Sequence, residues 1–183
     1  MKRKQQHFVR ITGGECKGLK IGTPGGGTHP MGDRERLAMF NILGERVKGN
    51  FIADIFAGGG TLGLEALSRG AAFVLFIEKN RFACDVLNNN MMDLGLSSLN
   101  GGVLCGDAYR MLATATDRFG IVFADPPYDE YDPEKIKVIA RVVADPSGIL
   151  VLSHPGEAPE MPGLRLVKTN KYAGAHLSFY EHI

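Results

Sequence analysis

Two short segments carry groups able to do chemistry. The first, Asp125-Pro126-Pro127-Tyr128, follows the apolar run Ile121-Val122-Phe123-Ala124. Neither proline can donate a backbone hydrogen bond, so the segment offers carbonyl acceptors beside the Asp125 carboxylate and few donors. That suits an exocyclic amino group, whose N–H bonds point at acceptors while the nitrogen lone pair, ordinarily delocalised into the base, turns toward an electrophile. Tyr128 adds a flat face for a base lifted from its stack, a contact worth about 1 to 3 kcal/mol. Asp125, Pro126 and Tyr128 are therefore the candidate catalytic residues of a pocket for a flipped base. The other role open to the tetrapeptide is an ordinary turn at a strand end.

The second segment runs from Asp54 to Gly63, Asp-Ile-Phe-Ala-Gly-Gly-Gly-Thr-Leu-Gly. Gly58, Gly60 and Gly63 spell G-x-G-x-x-G, and Glu78 closes the next apolar run, as the acidic partner of a dinucleotide site would. A nicotinamide-dependent oxidoreductase is thus one reading. Asp54 favours another, because a carboxylate at the mouth of the turn repels pyrophosphate but attracts the ammonium and sulfonium of S-adenosylmethionine. Glu78 can accept from ribose hydroxyls in either case. Asp54 could also simply cap the turn by accepting backbone N–H groups.

These groups need a scaffold that brings strand ends together. Phe51 to Ile55, Phe73 to Ile77, Gly102 to Cys105, Ile121 to Ala124 and Ile149 to Leu152 are short apolar runs bounded by Gly, Asp, Glu or Pro, as buried parallel strands are. Ala83, Val86, Leu87, Met91 and Leu94 recur at helical steps between the second and third. Strands alternating with helices predict an α/β fold with a parallel sheet covered on both faces. Leu164 to Lys168 and Leu177 to Tyr180, joined by a turn from Asn170 to His176, predict a closing antiparallel hairpin. Near the start, Phe8 to Ile11 and Leu19 to Ile21 predict a small hairpin of their own. Asp33 is the expected N-cap of a helix reaching about Val47, with Leu37, Phe40, Asn41 and Leu43 on one side. The expected organisation is a basic extension over residues 1–30 and one domain over 31–183. Phe82 and Phe119 are expected in the core, and His154-Pro155 as a turn.

Length and composition set bounds on function. The 183 residues, 44% hydrophobic and 22% charged, contain no apolar run long enough to span a bilayer, so a globular chain off the membrane is expected. The formal charge of +1 hides a gradient: residues 1–50 hold ten Lys and Arg against four Asp and Glu, the remainder eleven against sixteen. Lys2, Arg3, Lys4, Arg10, Lys17, Lys20, Arg34 and Arg36 are available to an RNA backbone. Cys16, Cys84 and Cys105 form no C-x-x-C pair, and His7, His29, His154, His176 and His182 lack ligand spacing, so no metal is expected. Charge without an apolar core in the first eleven residues argues against a secretory signal and for the cytoplasm.

The chain resembles the small-subunit ribosomal RNA guanine-N2 methyltransferase family (RsmD-like). The likeness is carried by DIFAGGGTLGLEALSRGA (Asp54 to Ala71), FIEKN (Phe76 to Asn80) and FADPPY (Phe123 to Tyr128), with VRITGGECKGLKI (Val9 to Ile21), DRERLAMFNIL (Asp33 to Leu43) and Lys171 to Tyr180 extending it over nearly the whole chain. The resemblance implies a class I, Rossmann-like methyltransferase domain using S-adenosylmethionine. Asp54, Phe56, Gly58 and Gly60 would then hold the methionine part, Glu78 with Lys79 the ribose, and Asp107 with Ala108 the adenine. Asp125, which would also touch the cofactor, and Tyr128 would hold the target guanine. It further implies action on small-subunit RNA within an assembled or assembling particle; a monomer is expected, and from the basic start Arg10, Lys17, Lys20, Arg34 and Arg36 are the expected RNA contacts. Amino methyltransferases on adenine N6 or cytosine N4 use similar tetrapeptides. The chain departs from the family at His29-Pro30-Met31, where Arg-Pro-Thr is usual, at Leu37, where Glu is common, and at Gly59, where Ser is common.

Overall fold

The computed structural model describes residues 7–25, 31–144, 146–172 and 175–183. Lys2, Arg3, Lys4, His29 and Pro30 lie outside them. Alternation near the start closes into an antiparallel hairpin, β1 (His7–Arg10) with β2 (Lys20–Thr23), Val9 opposite Ile21. After α1 (Asp33–Leu43), the apolar runs become β3 (Phe51–Ile55), β4 (Phe73–Glu78), β5 (Gly101–Cys105), β6 (Ile121–Ala124) and β7 (Ile149–His154). α2 (Thr61–Ser68), α3 (Arg81–Asp93) and α4 (Ala108–Ala113) connect the first four of these strands. β8 (Leu164–Tyr172) and β9 (Ala175–His182) complete a seven-stranded sheet in the order β5-β4-β3-β6-β7-β9-β8, parallel through β7 and antiparallel beyond. This is the α/β, class I methyltransferase outline anticipated from the sequence. No described helix is long and apolar enough to cross a membrane.

Strand pleating divides each run between two cores. Ile52, Phe76, Ile121 and Phe123 pack with α1, α2, α3 and the N-terminal hairpin, whereas Ala53, Ile55, Val122 and Leu150 pack with α4 and the 3-10 stretch Lys135–Val142. β3 lies between β4 and β6, with Ile55 opposite Ala124. The chain thus switches direction across the sheet at β3, and the carboxyl ends of β3 and β6 open side by side into the crevice where such sheets bind ligands.

Several local expectations change. Gly32, not Asp33, caps α1, and the helix ends at Leu43 because Gly44 takes φ 54° and a 3-10 turn follows through Val47. Its buried row is Arg36, Met39, Phe40 and Leu43, leaving Leu37 and Asn41 exposed. A charged residue at the centre of that row concealed it from a hydrophobic pattern. Arg36, expected on RNA, is fully buried: its guanidinium donates to Glu65 and Asp33, each at 2.9 Å, and to the Met31 and Arg10 carbonyls. Four of its five N–H donors are thus taken within the protein, and burial keeps the side chain from a phosphate. Phe82 is 53% exposed, whereas Phe119 is buried as expected. His154 is the last residue of β7 rather than a turn, buried and bonded to Ser178 at 2.8 Å. The β8–β9 pairing extends to Tyr172 opposite Ala175, so Asn170 to Tyr172 and Ala175 with His176, expected in a turn, are strand.

The buried Glu65 carboxylate on α2 gathers Arg36 of α1, Arg69 and both the backbone N–H and hydroxyl of Thr12. Asn90 of α3 does similar work with neutral groups, bonding Gly22 through both its amide functions and the Gly59 carbonyl at 2.8 Å. The N-terminal hairpin is therefore joined to the sheet's helices by polar bonds as well as by Ile11 and Ile21 in the common core.

Candidate active site

A cavity of about 850 Å³ opens at the carboxyl ends of β3, β4, β6 and β7. Of the residues singled out from sequence, Asp54, Phe56, Gly58, Glu78, Lys79, Asp107, Ala108, Asp125, Pro126 and Tyr128 line it. Gly60 does not. It caps α2 at φ 83°, and a Cβ there would stand 2.1 Å from Leu87 Cδ1. At Gly63 a Cβ would stand 2.2 Å from the Phe76 ring, so these two glycines serve packing, Gly60 against α3 and Gly63 against β4, rather than ligand approach. Gly59 sits under the hairpin, where a Cβ would come within 2.9 Å of the Gly22 carbonyl, leaving no room for the serine common in the resembling family.

The loop after β3 is held by carboxylates. Asp54 Oδ2 accepts the Gly63 N–H, and Glu78 Oε2 accepts the Gly58 N–H, both at 2.8 Å. Asp54 thus performs the capping role open to it while one edge faces the cavity. Burial pushes its carboxyl up to about 8, against the Gly63 bond, and the Asp125 and Glu78 charges push the same way. Phe56 is the one non-glycine residue with positive φ among those described, at 64°, a conformation costing about 1 to 3 kcal/mol, and its ring packs 5.4 Å from Tyr109. Asp107 caps α4 through the Arg110 N–H. Lys79 is paired with Glu130.

Across the cavity, parallel pairing of β6 with β7 sets Asp125 beside Ser153. The buried Ser153 hydroxyl bonds the Tyr128 hydroxyl at 2.7 Å and lies near enough to the Asp125 carboxyl to lower its pKa. Burial raises the Asp125 pKa, the neighbouring Ser153 hydroxyl opposes this, and the Glu35 charge adds to it. The Pro127 carbonyl accepts the Glu130 N–H at 3.0 Å, so the proline acceptor left to a ligand is that of Pro126. Sequence reasoning missed Ser153, one residue past the apolar run; its place at the carboxyl end of a strand next to β6 was the available signal. Glu35, Tyr172 and Leu177 also line the cavity, brought in by α1 and by the hairpin that closes the sheet.

The cavity therefore has an acidic half with ordered backbone and a second half rich in acceptors with an aromatic face. The first half suits a cationic nucleoside better than a dinucleotide. The Gly58 and Gly63 amides, which a pyrophosphate would draw upon, are already given to Glu78 and Asp54. Arg10, Lys17, Lys20 and Arg34 lie outside the cavity and are exposed, with one Arg10 donor on the Gly18 carbonyl.

Comparison with known proteins gives the same direction. A Bacillus subtilis protein named "Putative rRNA methyltransferase YlbH" is 33% identical over 174 residues, covering 89% of this chain and 92% of that one. The Escherichia coli "Ribosomal RNA small subunit methyltransferase D" is 39% identical over 121 residues, 66% of this chain and 60% of that one. The solved structure of "Putative methyltransferase yhhF from Escherichia coli" superposes with a TM-score of 0.86 at 30% identity, covering 96% of this chain and 98% of that one. The model of the conserved hypothetical protein 95 family matches residues 9–181, and the chain belongs to that family of RsmD-like methyltransferases.

Proposed function

We infer that the protein transfers a methyl group from S-adenosylmethionine to the N2 amine of a guanine in small-subunit ribosomal RNA, taken as a flipped base. The observation that carries this is the joining, in one cavity, of the Asp54 and Glu78 loop to the Asp125, Pro126, Ser153 and Tyr128 cluster. The names of the relatives supply the RNA class. The residues present fit the cofactor: Asp54 would hold its ammonium, Glu78 its ribose, and Asp107 with Ala108 its adenine, while Gly58 and Phe56 line the space between. When bound, it supplies a methyl carbon on a good leaving group, so no protein nucleophile is needed.

The chain's own work is to align and to hold charge. Asp125 and the Pro126 carbonyl accept the two amine N–H bonds, which fixes the direction of the nitrogen lone pair. Tyr128, anchored by Ser153, stacks on the base and excludes water. Positive charge growing on the nitrogen is met by acceptors already in place, and Asp125, raised above the ordinary carboxylate range, receives the released proton. Arg10, Lys17, Lys20 and Arg34 contact RNA phosphates.

Incubating small-subunit RNA from cells lacking the protein with purified enzyme and labelled cofactor, then mapping the label by mass, tests the whole reading. One labelled guanine is the expected result. Labelled DNA with unlabelled ribosomal RNA would overturn the substrate, and tight binding of NADH without binding of S-adenosylmethionine would overturn the cofactor.

A further inference from the structure

On the base side of the cavity stands a carboxylate that the mechanism above leaves unused. Glu35, the third residue of α1, lines the cavity with Asp125, Pro126 and Tyr128 and is partly buried. Its charge bears on both Asp125 and Tyr128, whereas the charges bearing on Asp54 are those of Asp125 and Glu78. Glu35 thus shares the cavity wall with Asp125 and Tyr128 and is close enough for its charge to act on both. One of its oxygens, Oε2, accepts the Gly32 N–H at 2.9 Å, which holds the carboxylate against the first turn of the helix. No ion pair among the described residues uses it.

The pocket wall thus carries three acceptors, Asp125, the Pro126 carbonyl and Glu35, and needs a ligand edge with donors in a row. Among the four RNA bases, guanine alone carries a ring N–H, at N1, beside an exocyclic amine, at N2. Adenine beside its N6 amine, and cytosine beside its N4 amine, turn a ring lone pair outward, which a carboxylate repels. We propose that Glu35 is the residue that selects guanine, its Oε1 accepting N1–H while Asp125 and Pro126 hold the amine. This rests on the methyltransferase reading above and supplies the base preference that the tetrapeptide alone leaves open.

The test uses Glu35→Gln. Glutamine still accepts the Gly32 N–H from this helix position, so the start of α1 is kept, but it turns an N–H₂ donor toward the pocket. Once the methylated nucleotide is mapped with wild-type enzyme, small-subunit RNA is assembled with guanine or 2-aminopurine at that position. 2-Aminopurine keeps the reacting amine but bears a lone pair at N1. Wild type should favour guanine in kcat/KM by at least about 100-fold, and Glu35→Gln should narrow that ratio by about tenfold or more, with its unfolding midpoint unchanged. A ratio equal in the two enzymes overturns the proposal, because a helix cap would not change base preference. A wild-type methyl mapped to adenine or cytosine overturns it while methyl transfer to RNA stands. No methyl on RNA from wild type overturns both.

Discussion

Two buried carboxylates, Asp54 near the end of β3 and Glu65 on the helix that follows it, have opposite fates. Glu65 is surrounded by donors of its own protein. Burial would raise its pKa, but the bonds from Thr12, Arg69 and Arg36 outweigh burial and leave it below the ordinary value. Asp54 has one backbone N–H from Gly63 and other carboxylates for neighbours, so burial prevails and its pKa rises to about 8. A buried acid with its cations built in joins segments of the fold. One whose cation is missing from the chain is where we propose a ligand brings it.

Substitutions can break this contrast, and the largest effect is expected on the cavity side. Asp125→Ala should lower methyl transfer by about 10³-fold or more while cofactor binding, followed by calorimetry, largely survives. Near-normal transfer would remove Asp125 from the mechanism. Next, Glu65→Ala should cost about 3 to 5 kcal/mol in denaturant unfolding, since it strands the buried Arg36 guanidinium. Asp54→Asn, equally buried, should leave stability unchanged or raise it at pH 7. Equal destabilisation of the two variants would abolish the contrast.

The two acids should also respond oppositely to pH. Glu65 has a depressed folded pKa, so the stability it confers is present above its ordinary value of 4.5 and lost as pH falls through the lowered one. Asp54 has a raised folded pKa, so burying it costs progressively more stability as pH climbs from 3.8 toward 8. A cationic ligand needs Asp54 ionised. Affinity for S-adenosylmethionine should therefore strengthen by up to about tenfold per pH unit below 8, and the dependence should flatten in Asp54→Asn. A dissociation constant equal at pH 6 and pH 8 would exclude Asp54 as the ammonium partner.

The smallest effect contrasts Arg34 with its neighbour Arg36. Replacing Lys17, Lys20 and Arg34 together by Gln should weaken RNA binding and reduce the slope of log affinity against log salt by about one for each phosphate no longer neutralised. Stability should stay within about 0.5 kcal/mol, because these side chains are exposed. An unchanged salt slope would locate the RNA surface elsewhere.

Much of the fold and the site is legible in the sequence because it is local. β3 and β6 match their apolar runs to the residue, since runs bounded by Asp, Gly or Pro depend only on neighbours in the chain. The tetrapeptide and the glycine loop are also found from neighbouring residues, but Gly60, expected at the cofactor, does not line the cavity. Arg36 misleads because a charge beside Asp33, Arg34 and Glu35 looks solvated; its partner Glu65 lies 29 residues away and meets it only when α1 and α2 pack.

By itself, then, the sequence determined the alternation of strand and helix, the acidic and acceptor-rich chemistry and the basic start, all of which follow from residue type and short-range spacing. Tertiary structure alone decided which charges are satisfied. It sent Arg36 inward to Glu65, set Ser153 beside Asp125, and brought Glu35 into the same cavity as Tyr128. Electrostatic fate depends on distance and burial, and neither is set until separate segments come together.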